Sequence, residues 1–169
     1  MSFAQMQTDL VALLPRLRRF ALGLTGSTDQ ADDLVQTGCL KALERSAQWQ
    51  PGTNLASWMF RILQNTWLDQ RRTETRRNTV ADSEKVERQI GEDGEHGHET
   101  RDELRRVEVL IRDLPQEQRA VLLLVCVEGL SYKETAETLE VPIGTVMSRL
   151  ARARGRLADQ LQDAYEVAK

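Results

Sequence analysis

Apolar residues recur at three- and four-residue spacings along the chain, the signature of one buried stripe per α-helix, and no segment alternates as a half-buried strand does. From Asp9 to Leu24 the stripe is Leu10, Leu13, Leu14, Leu17, Phe20, Ala21 and Leu24, with Pro15 in its middle, which predicts a kinked helix or two short ones. Ser27 followed by Gln30 has the form of a capping box opening a second helix. There Ala31, Leu34, Val35, Cys39, Ala42 and Leu43 share one face, leaving Asp32, Asp33, Gln36 and Lys41 on others. Local physics gives the two aspartates a plain role, since acids in a first turn suit the helix dipole. Pro51-Gly52 marks a loop over 48–54, and Thr53 or Asn54 can cap the long helix after it. Leu55, Trp58, Met59, Ile62, Leu63 and Thr66 mark its inner side. Arg61, Asn65, Trp67, Asp69, Arg71 and Arg72 spread round the rest. Cations interleaved with Trp and Asn are what single-stranded nucleic acid requires, because aromatics stack on bases and arginines meet phosphates. The register assigns Trp58 to the core and leaves Trp67 between core and surface.

The pattern stops at about residue 79. Thr79 to Glu99 holds seven acids against two cations, three glycines and few hydrophobes, which predicts a flexible acidic linker between a domain at 1–78 and another at 100–169. His96 and His98 stand among these carboxylates, but without further ligands at fixed spacing they do not make a metal site. Helical spacing resumes through Leu104, Val107, Leu110, Ile111 and Leu114, and Pro115 opens a further helix from Gln116 to Glu128. Its run Val121–Val127 is apolar nearly all round, which predicts the central helix of a small bundle. Gly129 then stops it, Ser131 and Glu134 form a capping box for a short helix from Tyr132, and Val141-Pro142-Ile143-Gly144 breaks the pattern. Thr145 can cap a last helix whose stripe is Val146, Leu150, Ala153 and Leu157. Two short helices about a tight turn make a helix-turn-helix, and the second carries Arg149, Arg152, Arg154 and Arg156 with no acid among them. Such a face is either a solvated surface or a recognition helix; the cap, turn and arginine run together favour the latter. Glu140 stands at the turn where glycine is usual, so a residue with a Cβ has to adopt positive φ there at a cost of about 1 kcal/mol. The fold class is all-α, in two small bundles.

Composition narrows the function. At 169 residues, 40% hydrophobic and 29% charged, the chain has the make-up of a soluble globular protein. No run approaches the roughly 18 apolar residues of a membrane span and no secretory leader opens it, so a cytoplasmic location is expected. A formal net charge of −3 does not mark a nucleic-acid binder, so any DNA affinity has to come from local patches. Cys39 and Cys126 fall inside apolar helical patterns and read as small buried hydrophobes, not a disulfide. A nuclease finds little support, because cleavage needs clustered carboxylates or histidines for metal ions and the dense acids lie in the linker. Neither a metal nor a cofactor is expected.

Taken together, two stretches of the first domain, Asp29-Gln-Ala-Asp-Asp-Leu-Val-Gln36 and Pro51–Asn65, carry a family resemblance. So do Leu114-Pro-Gln-Glu-Gln-Arg119, Gly129–Ala136 and Pro142–Leu150 of the second. In this order, about an acidic linker, they resemble the extracytoplasmic-function sigma factors of bacterial RNA polymerase. The resemblance implies a promoter-specificity subunit without enzymatic activity, acting with core RNA polymerase on stress-response genes under an anti-sigma factor. It implies that Asp32, Asp33 and Gln36 dock on the clamp helices of the β′ subunit. Asn54, with the loop before it, and Arg61, Asn65, Asp69, Arg71 and Arg72 would receive the melted minus-ten strand. Thr145, Met147, Ser148, Arg149, Arg152 and Arg156 would meet the minus-thirty-five duplex. Pro51–Leu55 further resembles the general-stress sigma factors of alphaproteobacteria. The chain departs from the family at Thr37, where Glu is usual, at Met147, where a cation is common, and at Glu140. The competing function is a stand-alone regulator using the helix-turn-helix alone. It would footprint its operator without core enzyme.

Overall fold

Every predicted stripe is realised as a helix in the computed structural model, which describes residues 3–80 and 98–167. Seven α-helices occur among these residues: α1 Phe3–Thr25, α2 Thr28–Glu44, α3 Leu55–Val80, α4 His98–Arg112, α5 Gln116–Leu122, α6 Tyr132–Leu139 and α7 Ile143–Val167. The predicted acidic linker lies outside the described residues over 81–97; its two proposed ends, 79–80 and 98–99, belong to α3 and α4. The chain divides into two units, one built on α1 as far as Leu22 with α2 and α3, the other on α4 to α7.

In the first unit Pro15 does not split α1, which runs unbroken for 23 residues. The proline is exposed and Val11, whose carbonyl loses its donor, is 64% exposed, so water can replace the missing partner. Phe20 and Phe60 are fully buried and meet edge to face with centroids 5.0 Å apart, joining α1 to α3. Ala31, Leu34, Gly38 and Ala42 form the inner face of α2. Gly38 allows the close approach of α3: a Cβ there would lie 2.4 Å from Leu63 Cδ2, and Leu63 is itself buried. Burial of Cys39 pushes its thiol pKa up, as expected of an apolar filler.

The two tryptophans of α3 exchange the places assigned to them. Trp67 is buried, whereas Trp58 is only half-buried. At about 100° per residue, Met59, Phe60, Leu63 and Trp67 fall within an arc of about 100°, and Trp58 lies about 100° from its edge. Leu55, Ile62 and Thr66, which set the predicted inner side, are buried as well, so the register holds and Trp58 alone falls outside it, about 40° beyond Ile62.

In the second unit Leu114, Val121, Leu122, Ala136, Val146, Leu150 and Ala153 are the core, with Ile111, Val125, Tyr132, Leu139, Val141 and Leu157 packed round it. The run after α5 widens into a π-helical turn, Leu123–Val127, closed by the Glu128 N–H on the Leu123 carbonyl at 2.9 Å. It corrects the expectation that Cys126 is buried. Leu123 and Leu124 are inside, but Val127 is 41% exposed and Cys126 is an exposed free thiol rather than a buried hydrophobe.

Candidate functional site

The helix-turn-helix is assembled by local chemistry. Ser131 caps α6 by accepting the Glu134 N–H at 3.1 Å, and the Glu134 carboxylate accepts the Ser131 N–H at 2.8 Å, completing the predicted box. Those hydrogen bonds hold the Glu134 carboxyl below its ordinary pKa, so this support for α6 is fully present above the unfolded value and is lost as pH falls through the lower folded one. Glu140 ends α6 in the left-handed region at φ 56°, ψ 45°, donating its N–H to Ala136 O. It is the sole non-glycine with positive φ among the described residues. Replacing Glu140 by Gly should therefore raise the midpoint of thermal unfolding, by the equivalent of about 0.5–1 kcal/mol, measured by calorimetry on the full chain.

Thr145 does not cap α7. The helix begins two residues earlier, at Ile143, and the Thr145 N–H already bonds to Pro142 O at 2.9 Å. Pro142 directly precedes the helix, and its carbonyl also accepts the Val146 N–H at 3.3 Å, so the turn residue itself opens α7. The predicted stripe holds, with Val146, Leu150 and Ala153 buried and Leu157 half-buried. Around the rest of α7, at about 100° per residue, Ser148, Arg152, Thr145, Arg156 and Arg149 share an arc of about 100°. Met147, 50% exposed, lies about 100° beyond its edge. Arg154 lies off the arc altogether and reaches Cys126 Sγ at 3.8 Å. Ser148 Oγ donates to Thr145 O at 3.1 Å, and Arg149 reaches Glu117 of α5 at 3.5 Å. The arc is thus a strip of arginines flanked by small polar groups.

On α3, Arg61, Arg72, Asn65, Trp58 and Asp69 fall within an arc of about 80°, opposite the buried one. The sequence reading placed cations and asparagine on this face but missed its aromatic, because Trp58 had been given to the core. Arg71 belongs elsewhere: it stacks over the Trp67 ring, 5.7 Å from the centroid, and lies 3.8 Å from Glu74. Arg72 is paired with Asp69 at 3.8 Å. Of the two capping candidates, Asn54 is the one used, its Oδ1 accepting the Ser57 N–H at 3.2 Å, while Thr53 Oγ1 donates to Gln50 O at 2.7 Å. The Asn54 side chain thereby ties the 49–54 loop to the first turn of α3.

Asp32, Gln36 and Asp33 lie on the outer face of α2, all exposed and within an arc of about 100°. Because α2 starts at Thr28, only Asp29 is in its first turn; Asp32 and Asp33 are too far along for the dipole role that local physics had offered them. Asp32 instead accepts from Arg18 of α1 at 2.8 Å. Asp33 turns toward a groove of about 470 Å³ between α2 and α3, which Lys41, Thr66, Asp69 and Gln70 also line. Leu40 was missed. It is 62% exposed and sits between Gln36 and Asp33 round the helix, an apolar residue outside the buried stripe. His96 lies outside the described residues, and no group of metal-ligating side chains occurs within them. Nor is any helix among them long and apolar enough to cross a membrane.

Comparison with known proteins accounts for both units. Residues 10–77 match the Sigma-70 region 2 family and residues 104–157 the Sigma-70, region 4 family. Over 153 residues the chain is 37% identical to the ECF RNA polymerase sigma factor EcfG of Rhodopseudomonas palustris (strain TIE-1), covering 90% of this chain and 83% of the relative. The ECF RNA polymerase sigma factor SigE of Mycolicibacterium smegmatis is 35% identical over 148 residues, 86% of this chain and 57% of the relative. Among solved structures, the sigma factor RpoE, in complex with the anti-sigma factor NepR from Bartonella quintana, matches with a TM-score of 0.83 at 32% identity, over 94% of this chain and 97% of that one. Carrying both sigma-70 regions in order on an all-α scaffold, the chain belongs to the ECF sigma factors of the sigma-70 family.

Proposed function

We propose that this protein joins core RNA polymerase through the outer face of α2 and delivers it to promoters by reading the minus-ten strand with α3 and the minus-thirty-five duplex with α7. The observation that carries the reading is the pairing, in one chain, of two sigma-70 regions with arginines on the outer faces of two helices in different units, Arg61 and Arg72 on α3 and Arg149, Arg152 and Arg156 on α7. On α7 the stretch from Thr145 to Arg152 is about 10 Å long, which fits a major groove about 12 Å wide. Arg156 falls beyond it, where phosphates lie, so Arg149 and Arg152 read bases while Arg156 positions. On α3 the half-exposed Trp58 offers a stacking surface beside Arg61 and Asn65 for an unpaired base. On α2 Leu40 supplies an apolar centre within the polar rim of Asp32, Asp33 and Gln36, the usual composition of a docking patch.

The protein is then a cytoplasmic initiation factor without catalytic activity, acting on stress-response genes. An anti-sigma factor is its natural inhibitor, as in the complex of the Bartonella relative. The match over residues 10–77 tells against a stand-alone regulator, which needs only the helix-turn-helix. A footprint across a dependent promoter separates the two. Protection should appear with core polymerase and be absent with this chain alone.

A further inference from the structure

The recognition strip holds one arginine that is not free to sample solvent. The Arg149 side chain is 22% exposed, and its Nη2 lies 3.5 Å from Glu117 Oε2, on the first turn of α5. Glu117 is itself 71% exposed, so this carboxylate reaches out of its own helix to meet the guanidinium. A guanidinium carries five N–H donors in a rigid fork, and one carboxylate oxygen leaves most of them unused.

We infer that Glu117 is a specificity-determining positioning residue: it holds Arg149 in the pose that reads a base edge in the minus-thirty-five element and withholds it from phosphates. The inference rests on the reading of Arg149 as a DNA contact. Two physical effects act, one on the preference among sequences and one on affinity for any sequence. An arginine on a long flexible stem reaches phosphate in many rotamers but a guanine edge in few, so fixing the stem favours the base. A carboxylate beside the strip also repels phosphate, which lowers affinity for any sequence without lowering the preference among sequences. Glu117 in a first turn suits the α5 dipole too, but that role does not depend on Arg149, and the test is built on the difference.

The experiment uses the full chain with core polymerase and competes a promoter duplex, found by run-off selection, against duplexes with single changes in the minus-thirty-five element. Glu117→Gln and Glu117→Ala should lower discrimination at one base pair by about twofold to fivefold, the range an exposed ion pair supports. Affinity for unrelated duplex should rise, and the slope of log affinity against log salt should steepen by up to about one ion. In an Arg149→Ala background the Glu117 substitutions should change discrimination no further. Unchanged discrimination in both Glu117 variants, or an equal loss with and without Arg149, overturns the positioning role. If Arg149→Ala itself keeps full discrimination, it is instead the placement of Arg149 on DNA that fails. Glu117→Gln keeps the size of the side chain, so its result stands even where the alanine variant loses stability.

Discussion

Replacing Arg149 and Arg152 together by alanine should abolish promoter-dependent transcription while leaving the second unit folded. Both project from the exposed arc of α7, away from the stripe of Val146, Leu150 and Ala153 that holds the helix in place. Neither is part of the core, and the fold loses only the half-exposed pair of Arg149 with Glu117, worth about 0.2–1 kcal/mol. Each arginine that reads a base should cost about 1–3 kcal/mol of promoter affinity, so the double change costs roughly thirtyfold to beyond ten-thousandfold if the two are independent. A residue that meets only phosphate gives a smaller loss and a shallower salt dependence. Transcription from a dependent promoter and the melting curve, measured on the same preparation, decide it. Wild-type transcription from the double variant would remove α7 from the reading.

The second large effect is expected at the opposite end of the chain. Asp32→Ala with Asp33→Ala should weaken capture of core polymerase by about tenfold or more with little change in stability. The helix-dipole explanation forecasts the reverse, a stability loss of up to about 1 kcal/mol per carboxylate with binding intact. Geometry already separates the two: α2 opens at Thr28 with Asp29 as its first-turn acid, and the substituted positions come later. Asp32 does lose its partner Arg18, but both side chains are more than half exposed, so the fold should barely register it. A folded double variant that still pulls down core polymerase at wild-type yield would return these aspartates to a local role.

What could be read from the sequence was what neighbours along the chain decide. The Ser131–Glu134 box and the left-handed Glu140 depend on contacts within five residues, and both stand as expected. The stripe of α7 does too, because one period fixes its phase over a long helix. What could not be read was set by packing. Trp58 and Trp67 differ by half a turn of phase, and which of them is inside depends on where α2 and its Gly38 press on α3. The outward swing of Cys126 follows from a π-helical turn that no residue pattern announces. Pro15 misled in another way. Its cost in a helix is real, but it shrinks where the orphaned carbonyl faces water. The candidate sites show the same division: Arg149, Arg152 and Arg156 of α7 were legible, whereas the turn of Arg154 toward Cys126, the exposed Leu40 and the half-buried Trp58 were set by packing. The assignment of Asp32, Asp33 and Gln36 to polymerase came from family resemblance alone.

The central claim is that this chain confers promoter recognition on core RNA polymerase and has none by itself. Run-off transcription with purified core enzyme on genomic fragments tests it most directly. Discrete transcripts should appear only when both are present, from a shared set of upstream elements, and should vanish with the Arg149→Ala, Arg152→Ala protein. Discrete transcripts from core enzyme alone in equal amount, or a footprint left by this chain without core enzyme, would contradict it.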